Sequence, residues 1–329
     1  MSLFSSFAKA AARSAVVLAL LTFALARPAA AKLCGGTVTC DCGDTVTASV
    51  TLAQDLGVCT QTALRVVGPG VVLDCAGHTI TGNDQSNAKF GIQLDGTTGA
   101  EVRNCRVTSF RRGLRIDGGS GNRLVDNESF ANTYGIDVAG ATTGNTLVGN
   151  LVRDNRDEGV HVGTASNDNR IVRNELRYNK NENLYFLRSN GNLVKSNLIH
   201  HSSSSAIFVK HSKNNRFIRN EVRDTALQVR GDSTGNVFKG NYLKGDGYVF
   251  DAYQEPTGWT YPHGNRTKGD CIRKTDFCYR FIGAYDNHAR DARTDGRCDP
   301  PDTNVVGGGR LAVDNTVALA PASCNDSPF

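Results

Sequence analysis

The chain has 329 residues, of which 37 are lysine or arginine and 32 are aspartate or glutamate, so its formal net charge is +5 at pH 7. This small excess does not suggest a nucleic-acid-binding protein, in which basic residues usually dominate one face of the fold. The ten cysteines form an even set, which in an exported chain favours disulfides over metal ligation.

Residues 1–31 have the features of a secretory signal peptide. Lys9 and Arg13 precede an apolar run, and three alanines lie before a cleavage site that leaves Lys32 as the first mature residue. The apolar run is too short to cross a bilayer. The sequence therefore predicts a protein that is secreted or resides in the periplasm or cell envelope, without a stable membrane anchor.

Cysteine-containing segments flank a central repeat region. Residues 32–64 and 254–329 hold four cysteines each, and the remaining two cysteines lie near the first repeats. The end coils of a solenoid expose unpaired backbone groups, so we expect both segments to form disulfide-rich caps. Metal ligation is the competing interpretation of Cys40 and Cys42, but their spacing is shorter than that of a structural zinc site.

Residues 65–253 repeat a two-part phrase about every 23 residues. One part is a glycine followed by alternating apolar residues, as in Gly135-Ile-Asp-Val138, and the other is flanked by asparagines, as in Asn145-Thr-Leu-Val-Gly-Asn150. The apolar positions are mainly Val, Ile, Leu and Phe with a period of two, which indicates strands. A repeat of this length built from short strands predicts a solenoid.

The repeat also predicts how successive coils stack. Ile136 and Val138 are expected to point inward and to stack on Leu114 and Ile116 of the preceding coil. The glycine at the start of each strand indicates positive φ or a close backbone approach. The recurring asparagines predict a ladder of hydrogen-bonded amides in the turns, formed by Asn104, Asn127, Asn150, Asn174, Asn197, Asn220 and Asn241.

These phrases resemble those of the right-handed parallel β-helix repeat proteins of the pectin-lyase-like group. The resemblance covers roughly Leu64 to Tyr253 and implies an all-β fold, a right-handed parallel β-helix with three sheets. Members of the group include polysaccharide lyases, glycoside hydrolases and sugar epimerases, together with proteins that have no assigned activity. The resemblance therefore implies a fold, and the reaction has to be inferred from side chains.

Alternation along the glycine strands selects an outward column of side chains. A polysaccharide lying along four central coils would cover about 14 Å of it. The residues that precede the strands add Tyr134, Glu158 and Glu182 to the same face. The column consists of Gln93, Arg115, Asp137, His161, Tyr185, Phe208, Gln228 and Val249.

A lyase or epimerase is one hypothesis for this face. Abstraction of the proton beside a uronate carboxylate needs a base and a neutralising cation. His161 or Tyr185 is the candidate base, and Arg115 or Arg188 is the candidate cation.

Tyr134-Gly-Ile-Asp137 is similar to the start of the catalytic Tyr-Gly-x-Asp-Pro-His motif of mannuronan C5-epimerases. The resemblance implies catalytic roles for Tyr134 and Asp137. Val138 and Ala139 stand where that motif has proline and histidine, so the resemblance implies no catalytic role for residues after Asp137.

A glycoside hydrolase is the second catalytic hypothesis. Glu158 and Glu182 occupy one column on adjacent coils, close to the separation of about 5 Å that a retaining pair needs. Like-charge proximity would raise the pKa of one carboxyl into the range of a general acid. The alternative is that both glutamates are solvated and pair with Arg156, Arg188 or Lys180.

A basic stripe on the second strand of each coil suits a carboxylated or sulfated glycan. Arg188 and Lys210, which follow the glycine strands, are further candidate substrate-binding residues. Ordinary solubility explains the same charges equally well. The stripe is predicted as one column of Arg103, Arg173, Lys195, Arg219 and Lys239.

Calcium is the only cofactor for which the sequence offers a candidate site, since Asp95 and Asp117 share a column with Asp137 close by. A β-helix family linked to periplasmic copper handling is disfavoured, because Met1 is the single methionine and soft copper sites use methionine or free thiolate.

The sequence thus predicts an exported β-helix that binds an acidic polysaccharide and cleaves or epimerises it near His161 and Tyr185. The alternative is a non-catalytic surface or envelope module that presents a rigid face to a glycan or protein partner.

Overall fold

A computed structural model describes residues 32–83, 89–251, 262–268, 270–273, 279–282, 284, 287–294, 302–305 and 316–320. The predicted signal peptide, and Cys278, Cys298 and Cys324 of the predicted C-terminal cap, lie outside the described residues. All regular elements of the described chain are β-strands that pair in parallel. The predicted all-β, three-sheet, right-handed parallel β-helix is therefore confirmed. Among the described residues there is no helix with the length and hydropathy needed to cross a membrane.

Each coil contributes one short strand to each of three sheets. In the first sheet the strands stack in chain order, as Leu33–Cys34, Asp44–Val46, Leu64–Val66, Phe90–Asp95, Arg112–Asp117, Tyr134–Ala139, Val160–Val162, Leu184–Leu187, Ile207–Lys210, Leu227–Arg230, Tyr248–Asp251, Tyr279–Ile282 and Asp302–Val305. This sheet carries the glycine strands of the repeat.

The second and third sheets carry the asparagine-flanked part of the repeat. The second sheet contains Val50–Thr51, Val72–Asp74, Glu101–Arg103, Arg123–Val125, Thr146–Val148, Arg170–Val172, Leu193–Lys195, Arg216–Ile218, Val237–Lys239 and Arg266–Lys268. The third contains Leu56–Cys59, Thr79–Gly82, Arg106–Thr108, Glu128–Phe130, Leu151–Arg153, Glu175–Arg177, Leu198–His200, Glu221–Arg223, Tyr242–Lys244 and Cys271–Arg273. The long strand His288–Thr294 pairs with both sheets, and Thr316–Ala320 pairs with it.

The interior of the coils consists of columns of apolar side chains, mostly aliphatic, with buried phenylalanines such as Phe186, Phe217 and Phe238 packed together in the later coils. Ile136 pairs with Leu114 on one side and Val160 on the other, and all three side chains are buried. The predicted inward positions are therefore confirmed. Because the columns are close-packed, truncating one such side chain to alanine is expected to cost about 2–5 kcal/mol.

Buried asparagines connect the coils in separate ladders at successive corners, as the Asn145–Asn169 and Asn155–Asn179 contacts beside the predicted ladder show. The side-chain amide of Asn150 donates to Asn174 Oδ1 at 2.9 Å, Asn174 donates to Asn197 at 3.0 Å, and the pattern continues along the ladder. The inclusion of Asn104 in the ladder was wrong. Asn104 is exposed with a φ of 54°, and Cys105 occupies its place, where its backbone N–H donates to Asn127 Oδ1.

The strand glycines are required by close backbone approach and not by positive φ. A Cβ added at Gly135 would lie 2.3 Å from Val152 Cγ1 and 2.5 Å from the carbonyl oxygen of Gly159. No side chain fits at that distance, so these glycines fix the tight corner before the first sheet.

Three disulfides crosslink the first coils: Cys34–Cys40, Cys42–Cys59 and Cys75–Cys105. Cys271 is disulfide-bonded as well, and no described cysteine is free. Parallel pairing begins at Leu33 and extends to Ala320, beyond the predicted repeat limits of 65 and 253. The N-terminal crosslinks therefore join segments that already belong to the stacked coils.

Candidate active site on the first sheet

The outward column of the first sheet has the predicted register. Arg115 pairs with Asp137, Asp137 with His161, and His161 with Tyr185 on successive coils. Tyr185 in turn pairs with Phe208. Strand alternation thus brings the chemically distinct side chains of four coils together on one surface.

Asp137 is the centre of this face. Its carboxylate is almost fully buried and contacts Arg112 Nε at 2.5 Å, Arg115 Nη1 and His161 Nδ1. Burial alone would raise the pKa of Asp137, but the hydrogen bond from His161 and the nearby positive charges outweigh it and lower the pKa. Asp137 is therefore an ionised carboxylate at neutral pH.

His161 is oriented by Asp137. Its Nδ1 lies 3.0 Å from Asp137 Oδ1, and 22% of its side chain is exposed. With Nδ1–H donating to the carboxylate, Nε2 carries the free lone pair, as in other carboxylate–histidine pairs. Gly163 keeps the ring edge open, since a Cβ there would lie 3.3 Å from His161 Cε1.

An aromatic strip continues from His161 along the coils. It is defined by Tyr134, His161, Tyr185 and Phe208, with the His161 and Tyr185 ring centroids 5.5 Å apart and those of Tyr185 and Phe208 5.3 Å apart, both pairs stacked. Arg112 lies over the Tyr134 ring at one end, and Arg230 lies over the Phe208 ring at the other. The strip is an apolar surface with a cation at each end.

The two tyrosines of the strip are phenols at neutral pH. Burial, together with nearby carboxylates, raises the pKa of Tyr134 and of Tyr185 to about 12. A phenol with so high a pKa donates hydrogen bonds and is a poor proton acceptor. Of the two predicted bases, His161 is therefore better suited than Tyr185.

Glu158 and Glu182 lie on the strip's flank and are largely buried. Burial, followed by the charge of Asp157, raises the pKa of Glu158 to about 7. Burial also raises the pKa of Glu182, against the opposing hydrogen bond from the Ser204 hydroxyl. The predicted pairing with Arg156, Arg188 or Lys180 is not seen, because no described salt bridge involves either glutamate.

The sequence did not predict Arg112 as a site residue. It is the first residue of the strand Arg112–Asp117 and reaches Asp137 on the next coil, so its charge and that of Arg115 are both directed at one carboxylate. The position before the glycine predicted that such residues lie on this face, but not that Arg112 contacts Asp137. Arg188 follows the strand Leu184–Leu187 and its charge acts on Tyr185, whereas Lys210 ends the adjacent strand, opposite Leu187.

The proposed calcium ligands are not brought together. Asp95 faces Arg65 at 3.5 Å, and Asp117 forms an ion pair with Arg115 at 3.0 Å. Asp137 is held by its own cations. Asp95 and Asp117 do share a column, but each carboxylate is neutralised by arginine, so the three do not form a ligand set.

The basic stripe divides into two columns. Lys195 and Lys239 end strands of the second sheet, whereas Arg173 and Arg219 follow their strands in the left-handed conformation, at φ values of 55° and 52°. The single-column prediction was wrong because the distance to the next ladder asparagine differs by one residue between coils. A basic groove nevertheless forms, lined by Leu193, Lys195, Arg216, Ile218, Arg219, Lys239, Gly240 and Lys268.

Several known proteins are similar to this chain. A family model described as periplasmic copper-binding protein (NosD) matches residues 50–270, more than half of the chain. The A-module of a mannuronan C-5 epimerase from Azotobacter vinelandii has a TM-score of 0.59 at 12% identity, over 88% of this chain and 89% of its own. A DFA-IIIase from Arthrobacter chlorophenolicus A6, without its lid, has a TM-score of 0.53 at 13% identity, over 85% and 84%.

A mutant of a periplasmic alginate epimerase has a TM-score of 0.50 at 16% identity, over 84% of this chain and 68% of its own. At these identities the structural likeness shows the fold alone. No curated protein sequence matches the chain with significance.

The family match also bears on location. The family is periplasmic by description, and the described cysteines form disulfides, so the predicted location outside the cytoplasm is confirmed. The expectation that disfavoured a copper-linked β-helix family was wrong, because it judged membership from the lack of methionine and free-thiolate copper ligands. The chain belongs to the family described as periplasmic copper-binding protein (NosD).

Proposed function

We propose that the first-sheet face binds an acidic polysaccharide and that His161 removes the proton on C5 of a uronate residue. The observation that carries this proposal is the Asp137–His161 pair, in which the histidine is itself part of the half-buried aromatic strip. The likeness to a mannuronan epimerase in fold is consistent with this chemistry and does not by itself assign it.

The strip suits a sugar chain in shape and charge. Aromatic rings offer apolar area for the ring faces of successive sugars, and four coils cover about 14 Å, or a few sugar units. The positive charges of Arg188 and Arg230 act on Tyr185. These charges favour carboxylated over neutral sugars.

The proton transfer uses His161, the substrate and water. Nε2 of His161 takes the C5 proton, and the electrons left on carbon delocalise into the substrate carboxylate. Ionised Asp137 stabilises the imidazolium that forms. Delivery of a proton from water to the opposite face of C5, with the imidazolium returning its own proton to solvent, gives the epimer. Expulsion of the oxygen on C4 instead gives an unsaturated sugar and a new chain end, with the imidazolium proton passing to that oxygen or to water.

A non-catalytic binding module is the second candidate, and one observation favours it. Arg112 and Arg115 are both held by Asp137, and Arg115 also contacts Asp117. Two cations used in this way are poorly placed to neutralise a uronate carboxylate in a transition state. The strip would then bind a glycan without turnover.

The test is incubation of the mature chain from Lys32 with alginate, pectate, hyaluronan and chondroitin, with and without calcium. The ultraviolet absorbance of unsaturated uronate, new reducing ends, the ratio of C5 epimers by NMR and direct binding are all measured. Absorbance or a changed epimer ratio that is lost in His161→Gln supports the proposal.

The other outcomes contradict it in distinguishable ways. Reducing ends without absorbance indicate hydrolysis and direct attention to Glu158 and Glu182. Binding without any product supports the non-catalytic module. Absence of both binding and product on all four glycans excludes them as ligands and overturns the polysaccharide assignment.

A further inference from the structure

A second cluster of ionisable side chains lies on the third sheet, away from the aromatic strip. His200 ends the strand Leu198–His200, and His201 follows it with a φ of 53°. Tyr178 and Asp224 hold the equivalent left-handed position on the neighbouring coils, at φ values of 55° and 76°. Coil stacking therefore places His201 between the side chains of Tyr178 and Asp224.

The left-handed turn explains why two consecutive histidines converge. Neighbouring side chains in a continuous strand point to opposite faces, so regular alternation would separate His200 from His201. Positive φ at His201 interrupts that alternation. The two Nδ1 atoms lie 2.6 Å apart, and His201 Nδ1 lies 3.4 Å from Asp224 Oδ2.

The resulting donor set is that of a metal site. One ligand atom from each of His200, His201 and Asp224 lies within 4.8 Å of the others, and this is the one such group of three or more histidine, cysteine or acidic residues among the described residues. Two nitrogen ligands bound to one ion at ~2.0–2.1 Å and at right angles are about 2.9 Å apart. The two rings would need to separate by only a few tenths of an ångström to accept an ion.

The surroundings support ligation by these three residues. Nε2 of His200 is buried without a hydrogen bond, and Glu175 Oε1 is 3.5 Å away as a neighbouring carboxylate that can fix the ring. Tyr178 stacks on His201 with the ring centroids 4.5 Å apart. The nearby cations have partners of their own, since Arg177 pairs with Glu175 and Arg223 pairs with Glu221.

The chemistry of the donors selects the class of ion. Two imidazoles and a carboxylate suit borderline divalent ions such as Cu²⁺ and Zn²⁺, with Cu²⁺ bound most tightly. Soft Cu⁺ prefers thiolate or thioether, and the described residues include no methionine and no free cysteine. The set therefore fits the metal in the family's description in its Cu²⁺ form.

We propose that His200, His201 and Asp224 bind one borderline divalent transition-metal ion, with Cu²⁺ preferred over Zn²⁺. This site is independent of the proposed polysaccharide chemistry, because it lies on another sheet and shares no residue with the strip.

The test uses the untagged mature chain from Lys32, titrated calorimetrically with Cu²⁺ and Zn²⁺, with electron paramagnetic resonance of the Cu²⁺ form. One equivalent of Cu²⁺ with nitrogen hyperfine coupling from two imidazoles is expected. His201→Asn, His200→Gln and Asp224→Asn should each weaken Cu²⁺ binding at least tenfold. Asparagine tolerates the left-handed conformation, so these variants retain the turn, and circular dichroism checks their fold.

His78→Gln is the matched control, because His78 forms a similar pair with Asp55 but has no second histidine. It should bind Cu²⁺ like the wild type. Two results overturn the proposal: no stoichiometric binding by the wild-type chain, or unchanged affinity in folded His200→Gln and His201→Asn, which assigns the ion to the N-terminal amine or another donor.

Discussion

The first-sheet face and the basic groove of the second sheet are built on the same coils, yet their charged groups differ in what they contact. On the first sheet, Asp137 is buried against two arginines and His161, and several neighbouring acids and phenols have shifted pKa values. In the groove, Lys195, Arg219 and Lys239 form no salt bridge within the described part of the chain.

These different surroundings of the charged groups indicate different functions for the first-sheet face and the basic groove. Shifted pKa values and an oriented histidine are typical of proton-transfer sites, whereas unpaired surface cations attract anions without selecting a reaction. The comparison therefore predicts that the first-sheet face controls turnover and that the basic groove controls affinity alone.

The largest effect is expected from His161→Gln. Loss of the general base should lower kcat on a uronate polymer roughly 10²–10⁴-fold with little change in affinity. The matched groove variant, Lys195→Gln, should leave kcat unchanged. Steady-state kinetics on both variants tests this prediction. A decrease in kcat for Lys195→Gln as large as that for His161→Gln would contradict it.

Asp137→Asn should be the next most damaging change. It leaves Arg112 and Arg115 without their buried partner, and breaking such a pair costs about 3–5 kcal/mol at neutral pH. Since the pKa of Asp137 is lowered in the fold, this stabilisation is present above its ordinary pKa and is lost as the pH falls.

Chemical denaturation of Asp137→Asn at pH 7 and pH 3 tests this sign. The difference in the free energy of unfolding between Asp137→Asn and the wild type should be smaller at pH 3 than at pH 7. An equal difference at both pH values would show that packing, and not charge, holds Asp137 in place. His161→Gln, which keeps the arginine contacts, is the control.

Glu158→Gln should stabilise the protein at high pH. The pKa of Glu158 is raised to about 7 in the fold, so the wild type loses stability as the pH rises from its ordinary value of 4.5 toward 7. Glutamine has no proton to lose, and the variant should be more stable by roughly 1–2 kcal/mol at pH 8.

The difference in stability between Glu158→Gln and the wild type should disappear at pH 4, where Glu158 is mostly protonated in both the folded and the unfolded chain. Thermal melts across this range measure it. A constant offset for Glu158→Gln at every pH would contradict the raised pKa.

The smallest effect is expected in the groove. Lys195→Ala and Lys239→Ala should each weaken binding of an anionic polymer several-fold and reduce the salt dependence of binding, because surface cations act through screened attraction. Affinity measured at several salt concentrations tests this. A salt slope that does not change would exclude the groove from glycan binding.

Much of this architecture can be read from the sequence because one repeat length controls it. The register of Arg115, Asp137, His161 and Tyr185 follows directly from strand alternation and the recurring glycine. Asn104 and Arg173 were misplaced because a one-residue difference before the ladder position moves a side chain into a different environment. Counting repeats does not resolve such shifts.

The contacts that depend on corners were not predictable in the same way. Arg112 reaches Asp137 from the first position of its strand, next to the corner, and His200 meets His201 because His201 adopts positive φ. Residues other than glycine rarely adopt that conformation, and no residue type in the turn marks it. The sequence therefore gives the columns more reliably than the contacts made where coils bend.

Exchange of the uronate C5 proton with solvent is the clearest test of proton removal by His161. Wild type and His161→Gln are incubated with a uronate polymer in D₂O, and deuterium at C5 and unsaturated product are measured by NMR. Deuterium at C5 or unsaturated sugar is expected with the wild type and neither with His161→Gln, although both proteins should bind the polymer. A wild-type protein that binds the polymer but leaves the C5 hydrogen in place would contradict this expectation and identify the face as a binding surface.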